Sequence, residues 1–80
     1  MTAQYSYPVI DAEATGQNIK HLREDFGMTV KEMQSLFDFS SPQAIYKWQH
    51  GKTLPTVDEF LVLAHLFKKS IENIIVIGVE

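Results

Sequence analysis

The sequence predicts an all-α fold, a compact five-helix bundle in which the second and third helices form a helix-turn-helix. Apolar residues recur at three- and four-residue steps over most of the chain, which is the period of an α-helix. Serine, threonine or aspartate precedes each of these segments, where its side chain can cap the first turn. The 80 residues, 45% of them hydrophobic, suffice for one small apolar core.

These signals divide the chain into three parts. Residues 1–10 have no helical or strand period and are predicted to form an N-terminal arm. Residues 11–75 contain the five helices of the helix-turn-helix domain. Residues 76–80 form a C-terminal tail whose β-branched side chains allow a short terminal strand.

Helix one is predicted to begin after Asp11, its cap, and to run to about Phe26, with Gly27 ending it. Its apolar stripe consists of Thr15, Ile19, Leu22 and Phe26. Gly16 lies within this helix. A glycine inside a helix costs about 1 kcal/mol relative to alanine, so we expect the first turn to fray.

Helix two begins with a capping box in the sequence. Thr29 is followed three residues later by Glu32, a spacing that lets each side chain bond the backbone N–H of the other residue. The helix is predicted over residues 30–37. Its expected core residues are Met33, Leu36 and Phe37.

Helix three, Pro42 to His50, has equally strong boundaries. Ser41 is a suitable cap, proline is favoured at the first helical position, and Gly51 can adopt the left-handed conformation that ends a helix. Its inward positions are Ile45 and Trp48. Two capped helices joined by a short turn form the unit that places one helix in the major groove of DNA.

Helix four follows the loop that ends at Pro55. Thr56 and Glu59 predict a second capping box, and the helix runs to about Phe67. Its expected core residues are Val57, Phe60, Leu61, Ala64 and Phe67. Ser70 is predicted to cap a short fifth helix, whose apolar residues are Ile71, Ile74 and Ile75.

The charge distribution favours nucleic acid in one region only. The net charge of −3 opposes DNA binding if it is taken as a single value. Residues 39–57, however, contain no Asp or Glu and include Lys47, His50 and Lys52. Because salt screens charges beyond about 8–10 Å, a local basic patch attracts a duplex more than distant acids repel it.

The sequence contains no pattern typical of catalysis or of a metal or cofactor site. Cysteine is absent, which excludes disulfides and thiolate zinc sites and fits a reducing compartment. The histidines lack ligand or nucleophile spacing: His21, His50 and His65. No apolar run approaches the ~20 residues of a membrane span. We therefore expect a cytoplasmic protein that is not an enzyme.

The five segments resemble the lambda-repressor/Cro-like helix-turn-helix family, also called the XRE family. The first-helix pattern of that family is matched by Ile19, Leu22 and Arg23. Residues 29–36 resemble its Ser-Gln-x-x-Leu-Ala helix, and residues 45–52 resemble its Ile-Ser-x-Trp-Glu-x-Gly-Lys segment. Residues 55–75 follow its Pro-x-x-x-x-Leu-x-x-Leu-Ala ending. The resemblance, which covers residues 11–75, implies a bacterial or phage DNA-binding regulator.

Several residues depart from the family pattern. Asp38 occupies the position of the usual turn glycine, in a turn one residue longer than is common. Gln49 replaces a glutamate that in the family pairs with the arginine matched here by Arg23, which implies a weaker hydrogen bond between a neutral and a charged group. Lys68 and Lys69 replace the usual Gly-Val.

Helix three contains the candidate base-reading residues. The amide of Gln43 can bond adenine N6 and N7, and the ammonium of Lys47 can reach guanine O6 and N7; the alternative for each is a solvated surface side chain. Tyr46 contacts sugar or a thymine methyl, or else covers the core. The full base-reading set is Gln43, Ala44, Tyr46 and Lys47.

The remaining candidates contact phosphate or brace the fold. The phosphate set is Lys31, Ser41, His50, Lys52 and Thr53; the alternative for Ser41 is a cap alone. The bracing set is Arg23, Gln49 and Trp48.

The predicted function is sequence-specific binding of double-stranded DNA by a small, repressor-like transcriptional regulator. Helix three would enter the major groove, and a homodimer would bind a palindromic site. Residues 74–79 are the candidate dimer surface; the alternative for them is the closing edge of the monomer core. The competing hypothesis is a protein-binding module, such as an antitoxin-like partner. The acidic net charge favours it, as does Val30, which replaces a phosphate-contacting glutamine of the family.

Overall fold

The computed structural model describes residues 8–79. Five helices and two short strands follow one another along the chain: β1 Pro8–Ile10, α1 Ala12–Asp25, α2 Val30–Leu36, α3 Gln43–Gln49, α4 Val57–Phe67, α5 Ile71–Ile74 and β2 Ile77–Val79. The predicted five helices are confirmed, each within two residues of its expected ends.

The two strands form an antiparallel ribbon that joins the beginning and the end of the described chain. Pro8 pairs with Val79, and Ile10 pairs with Ile77. Strand β2 confirms the predicted short terminal strand. The prediction that residues 1–10 contain no strand is wrong, because residues 8–10 form β1. Three consecutive apolar residues show no alternation, and their pairing partner is distant in sequence. Residues 1–7 of the predicted arm lie outside the described residues.

A single apolar core lies between the helices. Its buried residues are Ile19, Met33, Ile45, Trp48, Phe60, Leu63, Phe67 and Ile74. Four predicted core residues are instead exposed to solvent: Phe26, Leu36, Val57 and Leu61. Leu63, which is fully buried, was not predicted. Because α4 is apolar at most positions, its sequence period does not determine which face turns inward.

Thr15 connects α1 to the segment before β2. Its hydroxyl accepts a hydrogen bond from the backbone N–H of Val76 at 2.9 Å, and the Asn18 amide donates to the carbonyl of Ile74 at 2.9 Å. Thr15 is fully buried, as its place in the predicted stripe requires. Its role is to satisfy buried backbone groups rather than only to fill space.

The capping predictions at α2 and α4 are confirmed. The Thr29 hydroxyl accepts from the Glu32 N–H at 3.1 Å, and Glu32 accepts from the Thr29 N–H at 2.8 Å. The backbone N–H of Thr29, and secondly its hydroxyl, stabilise the ionised carboxylate of Glu32 and lower the pKa of this side chain. Thr56 and Glu59 form the same pair of hydrogen bonds at the start of α4.

Two other capping predictions need correction. Helix α3 begins at Gln43, with Pro42 in the capping position and Ser41 one residue further out. The Ser41 hydroxyl accepts only a long hydrogen bond, 3.4 Å, from the Gln43 N–H. Ser70 occupies the capping position of α5, but its side chain accepts no hydrogen bond there.

Candidate nucleic-acid interface

Helix α3 is held against α1 by an unusually close approach of the two backbones. A Cβ atom built on Gly16 would lie 1.8 Å from the carbonyl oxygen of Trp48. Glycine is therefore required here because any side chain would push the helices apart. The expected fraying of the first turn is wrong: Gly16 is buried within a continuous helix that begins at Ala12.

A second close contact follows α3. Gly51 has a φ of +72°, the left-handed conformation predicted for it. A Cβ on Gly51 would lie 2.7 Å from the Cα of Glu13, so this glycine is required by both its backbone conformation and its surroundings. The exit of α3 is thereby packed against the first turn of α1.

Two side chains of α1 bond the last residue of α3. The guanidinium of Arg23 donates to Oε1 of Gln49 at 3.2 Å and to the carbonyl of Met28 at 2.9 Å. Gln17 donates to the backbone carbonyl of Gln49 at 3.0 Å. The bracing set proposed from the sequence therefore lies together, since Trp48 is buried beside Gln49. Gln17 was missed because a polar residue at a partly solvated position has no sequence signal.

Aromatic side chains support the longer turn between α2 and α3. The rings of Phe37 and Phe39 stack with centroids 5.2 Å apart, and both meet Trp48 edge to face at 5.4 and 5.8 Å. Asp38, between the two phenylalanines, has a φ of +57°. The extra residue thus places a second phenylalanine against the indole of α3.

The outward face of α3 brings together five of the candidate DNA-contacting residues. Gln43, Tyr46 and Lys47 are exposed, and they line one surface depression together with His50 and Lys52. This surface comes from the segment that contains no Asp or Glu. Amide, phenol and two ammonium groups therefore face solvent side by side, with no carboxylate among the residues that line the depression.

The other candidates lie outside that depression. Ala44 and Ser41 are half-buried at the beginning of α3, and Thr53 is exposed in the loop after it. Lys31 is exposed on the first turn of α2. In a helix-turn-helix the starts of both helices approach the DNA backbone, so this separation does not conflict with a phosphate role.

The ring of His50 is oriented by a backbone carbonyl. Its Nδ1 lies 2.9 Å from the carbonyl oxygen of Tyr46, which can only accept a hydrogen bond. In the neutral ring the single N–H is therefore on Nδ1, and Nε2 is an acceptor. Only the protonated imidazolium has a second donor, so His50 can bond a phosphate oxygen in that form alone.

The basic surface ends at His50. On its other side, His50 and Gln49 border a groove along α1 to which Asp11 and Glu13 also contribute. The two carboxylates would repel a phosphate backbone. The depression that Lys47 and Lys52 line is therefore the more favourable of the two for an anion.

The chain is similar to known helix-turn-helix proteins in sequence and in fold. The model of the helix-turn-helix family HTH_3 matches residues 19–74, more than half of the chain. The DNA-binding domain of BldD from S. venezulae has a similar fold, with a TM-score of 0.66 over 81% of this chain and 96% of that domain, at 14% sequence identity. No curated protein matches this chain in sequence.

Two kinds of feature are absent from residues 8–79. No helix in this part of the chain is long and apolar enough to cross a membrane. The same residues contain no group of three or more His, Asp or Glu side chains placed to hold a metal ion.

Proposed function

Because the chain belongs to the helix-turn-helix family, whose members are DNA-binding regulators of the XRE type, we propose that it recognises a specific duplex sequence with α3. The observation that carries this proposal is the outward face of α3. There Gln43, Tyr46 and Lys47 are exposed side by side and are adjoined by His50 and Lys52. An α-helix fits the major groove, whose base edges have the donors and acceptors that such groups recognise.

The base contact that we propose for each residue follows from its position along α3. Gln43 is at the start of the helix, where recognition helices meet base edges, and its amide would bond adenine N6 and N7. Lys47, one turn later, would reach guanine O6 and N7. Tyr46 and the methyl of Ala44 would contact a thymine methyl or sugar.

The phosphate contacts would surround this helix. Lys52 and Thr53 follow its end, Ser41 precedes its start, and Lys31 extends from α2. His50 joins them when it is protonated. Each contact neutralises or bonds a phosphate oxygen and carries no sequence information.

A homodimer on a palindromic site follows from the limited contact area of one recognition helix. Its half-sites would lie about 10–10.5 bp apart, or a multiple of that distance. The pairing of β2 with β1 and the burial of Ile74 favour the alternative for the segment 74–79, a closing edge of the monomer core, over a dimer surface.

A salt series with duplexes selected from a random pool tests the proposal. Binding should show sequence preference and a log–log salt slope of roughly −3 to −5 per monomer, for about four or five neutralised phosphates. A matched duplex with scrambled bases should bind more weakly at every salt concentration. Failure to bind any duplex at low salt would refute the proposal.

The competing function is a protein-binding module, such as an antitoxin-like partner with weak DNA affinity. The net charge of −3 and the carboxylates of Asp11 and Glu13 beside α3 favour it. It predicts that any binding to DNA has no sequence preference. The same selection experiment therefore separates the two functions.

A further inference from the structure

Helix α4 has apolar residues on two sides, and only one of these sides is buried within the monomer. Eight of its eleven residues are apolar: Val57, Phe60, Leu61, Val62, Leu63, Ala64, Leu66 and Phe67. Phe60, Leu63 and Phe67 are buried in the core. So many apolar residues cannot all fit on the one stripe that faces the core, and some of them are therefore left on the opposite side.

The opposite face, which we call the α4 outer face, consists of Val57, Asp58, Leu61, Val62 and His65. Val57 is 73% exposed, Leu61 54% and Val62 40%. At 100° per residue, these three aliphatic side chains flank the line that passes through Asp58 and His65. No element among residues 8–79 covers them.

Charge is distributed unevenly along this face. Its first turn contains Asp58, whereas its last turn contains His65 and is followed by the exposed Lys68 and Lys69. A second α4 that runs antiparallel would bring the acidic end of one helix to the basic end of the other. It would also bring the opposite ends of the two helix dipoles together.

From these observations we propose that the α4 outer face binds the α4 outer face of a second copy of this chain. The two helices lie antiparallel about a twofold axis near Leu61 and Val62. Such an interface is self-complementary, as twofold symmetry requires. Only the role of this dimer rests on the proposed function: it would align two recognition helices on one DNA site.

The size of the face determines the strength of the contact. Eleven residues at a rise of 1.5 Å make a helix of about 16 Å. Stable complexes bury about 1,200 Å² or more of accessible surface, and a helix pair of this length buries less. The dimer is therefore weak and forms at high protein concentration. Two half-sites on one duplex would strengthen it by raising the local concentration.

The β1–β2 ribbon is the main competitor for this role. Ile77 is 52% exposed there, close to the exposure of Leu61, and both strands lack charge. Pro8, however, has no N–H to extend β1 by edge pairing. The ribbon also has no charged groups that would fix the orientation of a partner. Ile77 therefore provides a matched control.

Sedimentation equilibrium without DNA tests the proposal, with concentrations up to about 1 mM to detect a weak dimer. Leu61→Glu should weaken self-association at least about tenfold, the effect of losing a central apolar anchor. Ile77→Glu should leave it unchanged. Circular dichroism checks that both variants keep their helices. A wild-type chain that stays monomeric throughout, or an effect of Ile77→Glu alone, would overturn the proposal.

Disulfide trapping tests the antiparallel register, since the chain has no cysteine of its own. Leu61→Cys is close to the twofold axis and should cross-link to its symmetry mate on mild oxidation. Val57→Cys should not, because its two copies would be about 14 Å apart along the helix axes. Equal cross-linking at both positions would exclude this arrangement. Because neither experiment contains DNA, failure here leaves the DNA-binding proposal to its own test.

Discussion

Arg23 donates a buried hydrogen bond to Gln49, so a full positive charge faces a neutral amide at the junction of α1 and α3. Arg23 is only 8% exposed, and its Nε has no hydrogen-bond partner among the described residues. The carboxylate of Glu24 lies 4.0 Å from the guanidinium but is on the exposed side. The buried charge is therefore incompletely compensated.

Gln49→Glu should stabilise the protein because it places a carboxylate opposite this guanidinium. The present bond joins a charged group to a neutral one, and a second, opposite charge should raise the free energy of unfolding by about 1 kcal/mol at neutral pH. Urea titration followed by Trp48 fluorescence measures it. The gain should disappear in acid as the new carboxylate is protonated. Equal stability of the two proteins at neutral pH would contradict this account.

Gly16→Ala should destabilise the protein by about 3 kcal/mol or more, since the added methyl overlaps the Trp48 carbonyl. Helix propensity alone predicts a gain of about 1 kcal/mol, so the sign of the change discriminates between the two effects. Urea unfolding measures it. Ala12→Gly, in the first turn of the same helix, is the control and should cost at most about 1 kcal/mol.

Lys68→Gly should stabilise the protein by about 1 kcal/mol because Lys68 has a φ of +56°, which glycine adopts without strain. Lys69→Gly removes the same charge without relieving a positive φ and serves as the matched control. The two melting temperatures should differ by several degrees. A larger gain for Lys69→Gly would show that charge, rather than backbone strain, is decisive.

Acidification should weaken the start of α2. The hydrogen bonds from Thr29 lower the pKa of Glu32 in the folded state below its value in the unfolded chain. The carboxylate therefore contributes stability above its unfolded pKa, and this contribution is lost as the pH falls through the folded pKa. NMR titration of the Glu32 side chain in wild type and in Thr29→Ala measures the effect, and Thr29→Ala should raise the pKa. Alanine keeps the backbone N–H that bonds Glu32, so an unchanged titration curve would rule out the Thr29 hydroxyl, but not this N–H, as a cause of the lowered pKa.

Gln43→Ala and Lys52→Ala should affect DNA binding in different ways. Loss of a bidentate base contact costs about 1–3 kcal/mol at one base position, so Gln43→Ala should relax preference there. Lys52→Ala should weaken binding to all sequences alike and reduce the salt slope by about 1. Competition binding with duplexes that differ at single base pairs distinguishes a loss of base preference from a uniform loss of affinity. Uniform weakening by both substitutions would remove Gln43 from base recognition.

Local signals in the sequence were sufficient to predict the helices. The capping box of Thr29 and Glu32 acts within four residues, and Gly51 has the left-handed conformation predicted for it. The errors concern contacts between distant segments. Gly16 is required by the backbone of Trp48, and the exposure of Leu61 depends on how α4 is rotated against the core.

The exposed residues of α3 were easier to predict from the sequence than the hydrogen bonds that position this helix and His50. Exposure of Gln43 and Lys47 followed from the inward direction of Ile45 and Trp48, which the helical period alone gives. The hydrogen bond of Gln17 to the end of α3 and the orientation of His50 by a carbonyl depend on tertiary geometry. Neither leaves a pattern in the sequence.

The ribbon affects the order in which a growing chain can fold. Strand β1 is synthesised before the five helices, whereas β2, the strand with which it pairs, follows almost seventy residues later. The nascent chain must therefore carry the apolar residues of β1 without this partner until all five helices have been synthesised. Closing this long loop is then among the last steps in the folding of the described residues, and the hydrogen bonds between the strands can protect their amides only once β2 is present.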